Sequence, residues 1–225
     1  MPPSFAELEP LSLKDRVVSA LKDAFFSGAL KPGDPIVERD VARQMRVGTP
    51  VVREALISLQ GQGFVRRIAN TGTYVTEFEK DEVRQLYSLR IELEVLAFQW
   101  ARQRVAEADL NRLAELLAAV VRAGETADRR RFLECDYEFH RHCWKLSGNV
   151  YLYETLDRLM APLFAFVVLA SDVPMTASMG KEHYELLRAL RELHEPEFSS
   201  VVRRTISGFA ARWVTAIAPN DNAKL

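Results

Sequence analysis

The sequence predicts a mainly α-helical protein, with an N-terminal winged helix-turn-helix domain over residues 1–78 and an all-α helical bundle over residues 79–225. Three observations predict this fold class: amphipathic helical spacing in both parts, a tight turn between two short helices, and a single β-hairpin pattern. The 225 residues suffice for two domains with separate cores. With 48% hydrophobic and 27% charged residues, the composition is that of an ordinary globular protein.

The first predicted helix is amphipathic, and the second is short and is joined to the third by a tight turn at residues 46–48, which makes a helix-turn-helix. The first ends at Gly28, and prolines and glycine at residues 31–35 favour a turn before the second starts near Glu38. Their apolar residues recur at helical spacing: Leu13, Val17, Leu21 and Phe25 in the first, and Val41, Ala42 and Met45 in the second.

A third helix is predicted within residues 47–63, where Thr49 can cap and Pro50 can occupy the first helical position. Its other side carries Thr49, Arg53 and Ile57 at four-residue spacing. Such a helix suits the major groove of DNA, where arginine and backbone N–H groups meet phosphates and base edges. The buried stripe is predicted to comprise Val52, Ala55, Leu56 and Leu59.

The segment after the third helix has a hairpin pattern, with β-branched and aromatic runs at residues 64–68 and 73–76 flanking a polar turn. Three helices closed by a hairpin form a winged helix. Arg66, Arg67, Thr71 and Thr73 then lie where a wing contacts the DNA backbone or the minor groove.

The charge distribution supports the same interpretation, although the net charge of the whole chain is only −1. Between Arg39 and Gly72, six arginines stand against two carboxylates, which gives this region a local net charge of +4. An alternative is that these arginines are only a solvated surface.

From residue 79 onward the spacing of apolar residues predicts six helices, the fourth over residues 151–170, the fifth over 179–193 and the sixth over 198–217. Such a bundle can enclose a pocket. No apolar run is long enough to span a bilayer and no signal-peptide pattern opens the chain, so we expect a cytoplasmic protein without a membrane partner. Cys135 and Cys143 are expected to be reduced core thiols.

Three residues of the bundle could bind a metal ion. Asp136 and His140 are four residues apart on one helix and point the same way, and His183 lies on another helix beside an apolar stripe. Two imidazoles and a carboxylate suit a divalent transition metal with open positions. The alternatives are an Asp–His pair without metal and a hydrogen-bonded core histidine at position 183.

Two further polar residues are candidates for binding a small molecule. Arg90 falls within an apolar stripe, where a cation is unusual, and could hold a carboxylate through a bidentate contact. It could instead pair with Glu94 one turn away. Asn149 follows Gly148 and either faces the pocket or caps the next helix.

With both halves in view, the sequence resembles the bacterial GntR family of transcription regulators, and within it the FadR subfamily with its C-terminal FCD ligand-binding domain. The resemblance extends from about Leu11 to Trp213 and depends on the order and spacing of several short motifs. These motifs are LKPG at 30–33, VERDVA at 37–42, VREAL at 52–56, GFV at 63–65, TGTYV at 71–75, LRIELE at 89–94, DYEFH at 136–140, SGN at 147–149 and EH at 182–183.

The resemblance implies a homodimer that binds a palindromic double-stranded DNA operator, and a bundle that binds a small organic acid over a metal held by one Asp and three His. The metal would be of the Zn, Ni or Mn class. On the matching positions it implies that Asp136, His140 and His183 are metal ligands. The implied DNA contacts are Arg39, Thr49 and Arg53, with the wing at Thr71 and Gly72.

The chain departs from the family pattern at two positions. The family's fourth ligand is a histidine where this chain has Thr205, which leaves either a three-ligand site completed by water or effector, or no metal. Thr49 stands where the family commonly has an arginine that contacts guanine, so we expect a different operator.

Three functions are compatible with the sequence. The leading one is a transcription regulator whose operator affinity is controlled by an effector. The second is a metalloenzyme, since two histidines and one carboxylate with open positions also form a catalytic arrangement. The third is a regulator that binds DNA without an effector.

Overall fold

The structure is a computed structural model that describes residues 12–170 and 173–216, with side chains for 12–166 and 173–215. The chain divides into two compact units, one ending at Thr76 and the other beginning at Glu77. Each unit has its own apolar core. The predicted fold class is confirmed, because a winged helix-turn-helix is followed by a helical domain.

The first unit contains three helices and a small sheet in its described part. Ser12 caps the first helix by accepting from the Asp15 N–H, and Gly28 ends it in a left-handed conformation with φ 75°. The third helix starts one residue earlier than a Thr49 cap requires, because Gly48 is the N-cap and Thr49 is already helical. The elements are α1 (Leu13–Ser27), β1 (Pro35–Ile36), α2 (Glu38–Met45), α3 (Thr49–Gly61), β2 (Val65–Ile68) and β3 (Gly72–Val75).

The core of this unit forms where α1 packs against α3. Phe25 of α1 stacks on Phe64, with ring centroids 5.6 Å apart. The four apolar residues predicted for α3 are all buried: Val52, Ala55, Leu56 and Leu59.

The predicted hairpin forms, and it belongs to a three-stranded antiparallel sheet in the order β1-β3-β2. Val65 pairs with Val75 and Arg67 with Thr73 across the hairpin. The sequence indicated only a turn at residues 31–35, whereas Pro35 and Ile36 add a short edge strand beside β3. A strand of two residues is too short to show an alternation of polar and apolar side chains.

The second unit is helical throughout its described residues. The predicted fifth helix is divided at His183, which ends one helix and begins the next. The predicted end of the sixth at Ile217 lies outside the described residues. The helices are α4 (Lys80–Arg102), α5 (Glu107–Glu125), α6 (Arg129–Leu146), α7 (Val150–Ala170), α8 (Ala177–Glu182), α9 (Tyr184–Glu192) and α10 (Glu197–Ala216).

A close approach between α5 and α8 positions the chain just before His183. A Cβ atom on Gly124 would lie 2.5 Å from the backbone of Thr176 and of Ala177, so only glycine fits there. Gly180 faces Val120 at a similarly close distance, since its Cβ would lie 3.1 Å from that side chain. The His183 ring therefore projects from a helix that is held closely against α5.

Within the described residues, none of the helices combines the length and apolar character needed to cross a membrane.

Candidate functional site

The helix-turn-helix in the first unit presents its second helix, α3, with one face exposed. The α2–α3 turn passes through Arg46, which has a left-handed φ of 53°. Arg53 and Ile57 are exposed one turn apart on α3, and Thr49 is half-buried at its start. This is the face that the sequence predicted would lie outward.

Arg53 is held by a carboxylate from the preceding helix. Its Nε donates to Glu38 Oε2 at 3.1 Å and its Nη2 donates to the same oxygen at 2.9 Å. The hydrogen bond with Glu38 raises the pKa of Arg53. The Arg53 side chain is nevertheless 57% exposed, and this ion pair leaves its Nη1 group outside the contact.

The wing lies beside the same pair of residues. A surface cleft of about 740 Å³ is lined by Glu38 together with Thr71 and Gly72 at the tip of the hairpin. Gln60 of α3 lines the same cleft, so α3 lies close to the wing. The remaining predicted DNA contacts, Arg39 on α2 and Arg66 on β2, are exposed.

In the second unit, Asp136, His140 and His183 converge as predicted. All three are buried, and one nitrogen or oxygen atom from each lies within 4.8 Å of the others. They line a small cavity of about 20 Å³, which has room for one ion or water molecule but not for an organic acid. Aromatic and apolar side chains surround them: Tyr87, Phe132, Leu133, Phe164, Met179, Phe209 and Trp213.

The His183 ring is oriented so that its Nε2 atom faces Asp136. Its Nδ1 lies 3.1 Å from the Met179 carbonyl oxygen, which can only accept, so Nδ1 carries the proton. Nε2 has a lone pair when the ring is neutral, and it lies 2.7 Å from Asp136 Oδ1. Within the described residues neither atom has a hydrogen-bond partner. Two acceptors at this distance require a shared proton or a cation between them.

His140 has the same tautomer for a different reason. Its Nδ1 lies 3.1 Å from Glu94 Oε2, and its Nε2 lies 3.8 Å from Asp136 Oδ1. Burial lowers the pKa of His140 and favours the neutral ring. Nδ1–H bonds to an oxygen on both rings match the outer-shell pattern of metal-binding histidines, which fixes Nε2 as the ligand atom.

Arg90 reaches the same cavity but already has partners. Its Nε donates to Glu94 Oε1 at 2.6 Å, and its Nη2 lies 3.2 Å from His140 Nε2. Burial raises the pKa of Glu94, but the charge of Arg90 and the hydrogen bonds from Arg90 and His140 outweigh burial and lower it to about 2. The Arg90–Glu94 pairing that the spacing suggested is therefore present. His140 can bind a metal only when Arg90 moves off its Nε2.

Two positions singled out in the sequence do not line the cavity. Asn149 caps α7, because its Oδ1 accepts from the Leu152 N–H at 3.0 Å, and it borders a separate surface cleft with Arg104. Thr205 donates its hydroxyl to the Val201 carbonyl at 2.9 Å.

Three residues that the sequence did not single out for this site complete it. Glu94, expected only as a partner of Arg90, also holds His140. Phe209 stacks on the His183 ring, with centroids 4.3 Å apart, and Arg212 lies on the same face of α10. A four- and seven-residue spacing from Thr205 to Phe209 and Arg212 was the available signal.

The first unit is a winged helix-turn-helix, and the second is helical and has a small cavity lined by polar residues. This combination is typical of DNA-binding transcription regulators with a separate effector-binding domain. Residues 13–75 match the family model described as bacterial regulatory proteins, gntR family, and residues 85–208 match the FCD domain. The chain belongs to the GntR family and carries an FCD domain, consistent with the FadR subfamily. Members are regulators rather than enzymes, and nothing supports the metalloenzyme alternative.

Individual relatives agree with this assignment. The chain is 27% identical to the HTH-type transcriptional regulator McbR of Escherichia coli over 198 residues, which cover 87% of this chain and 89% of McbR. It is 33% identical to the Nta operon transcriptional regulator of Aminobacter aminovorans over 126 residues, 56% of this chain and 60% of that protein. The solved structure of E. coli McbR/YncC shares the fold, with a TM-score of 0.77 at 23% identity, covering 91% of this chain and 98% of that one.

Proposed function

We propose that residues 1–78 bind a palindromic operator and that residues 79–225 bind a small organic-acid effector and form a homodimer. The observation that carries the DNA-binding part is the exposed Arg53 on α3, held by Glu38 beside the cleft that the wing lines. The homodimer and the palindrome rest on the family resemblance, in which two copies bind two half-sites.

In this proposal α3 enters the major groove and the wing contacts the backbone or the minor groove. Arg39 and Arg53 each anchor a phosphate or one base, since a guanidinium can donate to either. Thr49 has no guanidinium, so the half-site differs from the guanine-containing one that is common in the family. Recovery of the common operator by unbiased selection would contradict this. The proposed contacts are Arg39, Thr49, Arg53, Arg66, Thr71 and Gly72.

We also propose that Asp136, His140 and His183 hold one divalent metal ion. The support is that Asp136 Oδ1 and His183 Nε2 lie 2.7 Å apart, that neither has a hydrogen-bond partner within the described residues, and that the cavity has the size of an ion. Three ligands leave positions for water or for the effector, as expected where Thr205 replaces the fourth imidazole. When bound, the metal would supply a positive charge for an anionic effector.

The small volume of the cavity implies that effector binding changes the helical unit. An organic acid does not fit in about 20 Å³, so it binds only a conformation in which the walls have moved. That conformation would present the two winged helices of a dimer differently, and the effector shifts operator affinity by its differential affinity for the two conformations.

A salt-dependent gel-shift assay with wild type and Arg53→Ala tests the proposal. We expect wild type to prefer its operator over random DNA, and we expect Arg53→Ala to lose about 1–3 kcal/mol of operator binding. Arg112→Ala is the matched control, because Arg112 is an exposed arginine of the helical unit paired with Glu115. No operator preference in wild type, or equal binding by Arg53→Ala, would refute the proposal.

A further inference from the structure

Three buried polar atoms without a hydrogen-bond partner in the described residues belong to side chains that line one cavity. They are Asp136 Oδ1, His183 Nε2 and Arg212 Nη1. The first two are acceptors and suit a cation. The third is a donor and cannot bind a cation, so it requires an acceptor that the described residues do not provide.

Arg212 is fixed at its outer side by an ion pair. Its Nη2 donates to both oxygens of Glu182 at 2.9 and 3.0 Å, and Glu182 directly precedes His183 in the chain. The guanidinium is planar and rigid, so holding one end sets the direction of the other. Nη1 is thereby buried at the wall of the cavity beside the candidate metal ligands.

Arg90, the arginine that the sequence offered as a partner for the effector's carboxylate, is less available. Its Nε donates to Glu94, which is fully buried. A carboxylate that displaced Glu94 from Arg90 would leave a buried charge without its partner, which is strongly unfavourable. Arg212 Nη1 can donate to a new partner without breaking any existing contact.

The charges around the cavity indicate how many negative groups a ligand should carry. Arg90 is balanced by Glu94 and Arg212 by Glu182, which leaves the single negative charge of Asp136. A divalent metal ion at this residue leaves one positive charge in excess. One carboxylate neutralises it, whereas two would place an unbalanced charge among aromatic side chains.

We propose that Arg212 binds the carboxylate of the effector through Nη1, and that the effector is a small monocarboxylate with an apolar body. The inference rests on the proposed function, because it places the effector in this cavity. The apolar body would lie against the flexible Met179 and the aromatic wall that includes Phe164. Arg212 is then the residue that determines specificity for an acid over its amide.

Three four-carbon probes and two variants test this with the full-length, Zn²⁺-saturated protein. Butyrate is the monocarboxylate, butyramide its neutral counterpart, and succinate its dicarboxylate counterpart, and binding is measured by calorimetry. We expect butyrate to bind wild type, and butyramide and succinate each to bind at least about tenfold more weakly. Arg212→Gln should lose at least about tenfold in butyrate affinity, and Arg212→Lys should lose less because it keeps the charge.

Arg203→Gln is the matched control, since Arg203 lies on the same helix and pairs with Glu92 on the surface. It should bind butyrate as wild type does. The unfolding midpoint of every variant shows whether it is folded, and Arg212→Lys provides the test if Arg212→Gln is not.

The inference is overturned if Arg212→Gln binds butyrate as well as wild type does, if butyramide binds equally, if succinate binds better, or if butyrate does not bind wild type. Operator binding by the same samples separates the two proposals. Wild type that binds its operator but not butyrate refutes the role of Arg212 alone. Wild type without any operator preference refutes the proposed function, whatever the calorimetry shows.

Discussion

The guanidinium of Arg53 on the recognition helix is bound by the carboxylate of Glu38 on the preceding helix, with Nη2 and Oε2 2.9 Å apart. Glu38 is well covered, whereas Arg53 remains largely exposed. A carboxylate at the proposed DNA interface would be repelled by phosphate, so its presence there needs a compensating role. Fixing the direction of Arg53 is such a role, because a positioned guanidinium distinguishes bases and a mobile one follows phosphates.

Glu38→Gln should therefore increase binding to random DNA while reducing the preference for the operator. The variant removes one negative charge and releases Arg53 to pair with any nearby phosphate, so its affinity should also depend more steeply on salt concentration. Dissociation constants for operator and random DNA at several salt concentrations measure this. Asp40→Asn is the control, since Asp40 lies on the same helix and pairs with the exposed Arg43. An unchanged operator preference in Glu38→Gln would contradict the positioning role.

Replacing Glu94 should strongly destabilise the protein. Glu94→Gln leaves the buried Arg90 without its ionic partner, and breaking such a buried pair costs about 3–5 kcal/mol. Glu92→Gln, two residues away, removes an exposed pair with Arg203 and should cost about 1 kcal/mol or less. Urea unfolding of both variants gives the comparison. Equal free energies of unfolding would show that the buried pair contributes no more than the surface one.

Metal content should depend on the three cavity residues. We expect about one divalent ion per chain, and a loss of more than about tenfold in affinity in Asp136→Ala and His183→Ala, because losing even an outer-shell partner costs that much. His194→Ala, at a histidine that contacts Arg102 instead, should keep the metal. Elemental analysis after dialysis against graded chelator measures the affinities. The three-ligand site is wrong if all four proteins retain the same metal.

Gly124→Ala should be destabilising although alanine is the better helix former. The added Cβ would lie 2.5 Å from the backbone of α8, and such overpacking typically costs about 1–3 kcal/mol. Gly208→Ala is the matched control, because a Cβ there meets nothing within 4 Å, and it should stabilise α10 by up to about 1 kcal/mol. The unfolding temperatures of both variants test this prediction. If Gly124→Ala is as stable as Gly208→Ala, α8 can move away from α5 without cost.

Much of the fold could be predicted from periodicity, because Val52, Ala55, Leu56 and Leu59 of α3 each recur at helical spacing and all are buried. The break at His183 could not, since no proline or glycine at that position marks the end of α8. The two-residue strand β1 is defined by its pairing with β3, a long-range contact that local sequence does not encode.

Three residues of the candidate site, Asp136, His140 and His183, were predicted from the sequence, whereas Arg212 was missed. Asp136 and His140 are one turn apart, so their convergence follows from helix geometry. Arg212 is distant in the chain from both, and only the packing of α10 brings it to the cavity. Asn149 illustrates the reverse case, because the same residue type can cap a helix or face a pocket, and in this structure it caps α7.

The small size of the cavity around Asp136 and His183 has a kinetic consequence. A solute larger than one water molecule cannot enter until the surrounding helices separate, so the rate of that opening limits how fast the regulator responds. The observed association rate should then level off as the solute concentration rises, instead of increasing in proportion to it. The delay between a change in effector concentration and a change in transcription would then be set by how often the helices around the cavity separate.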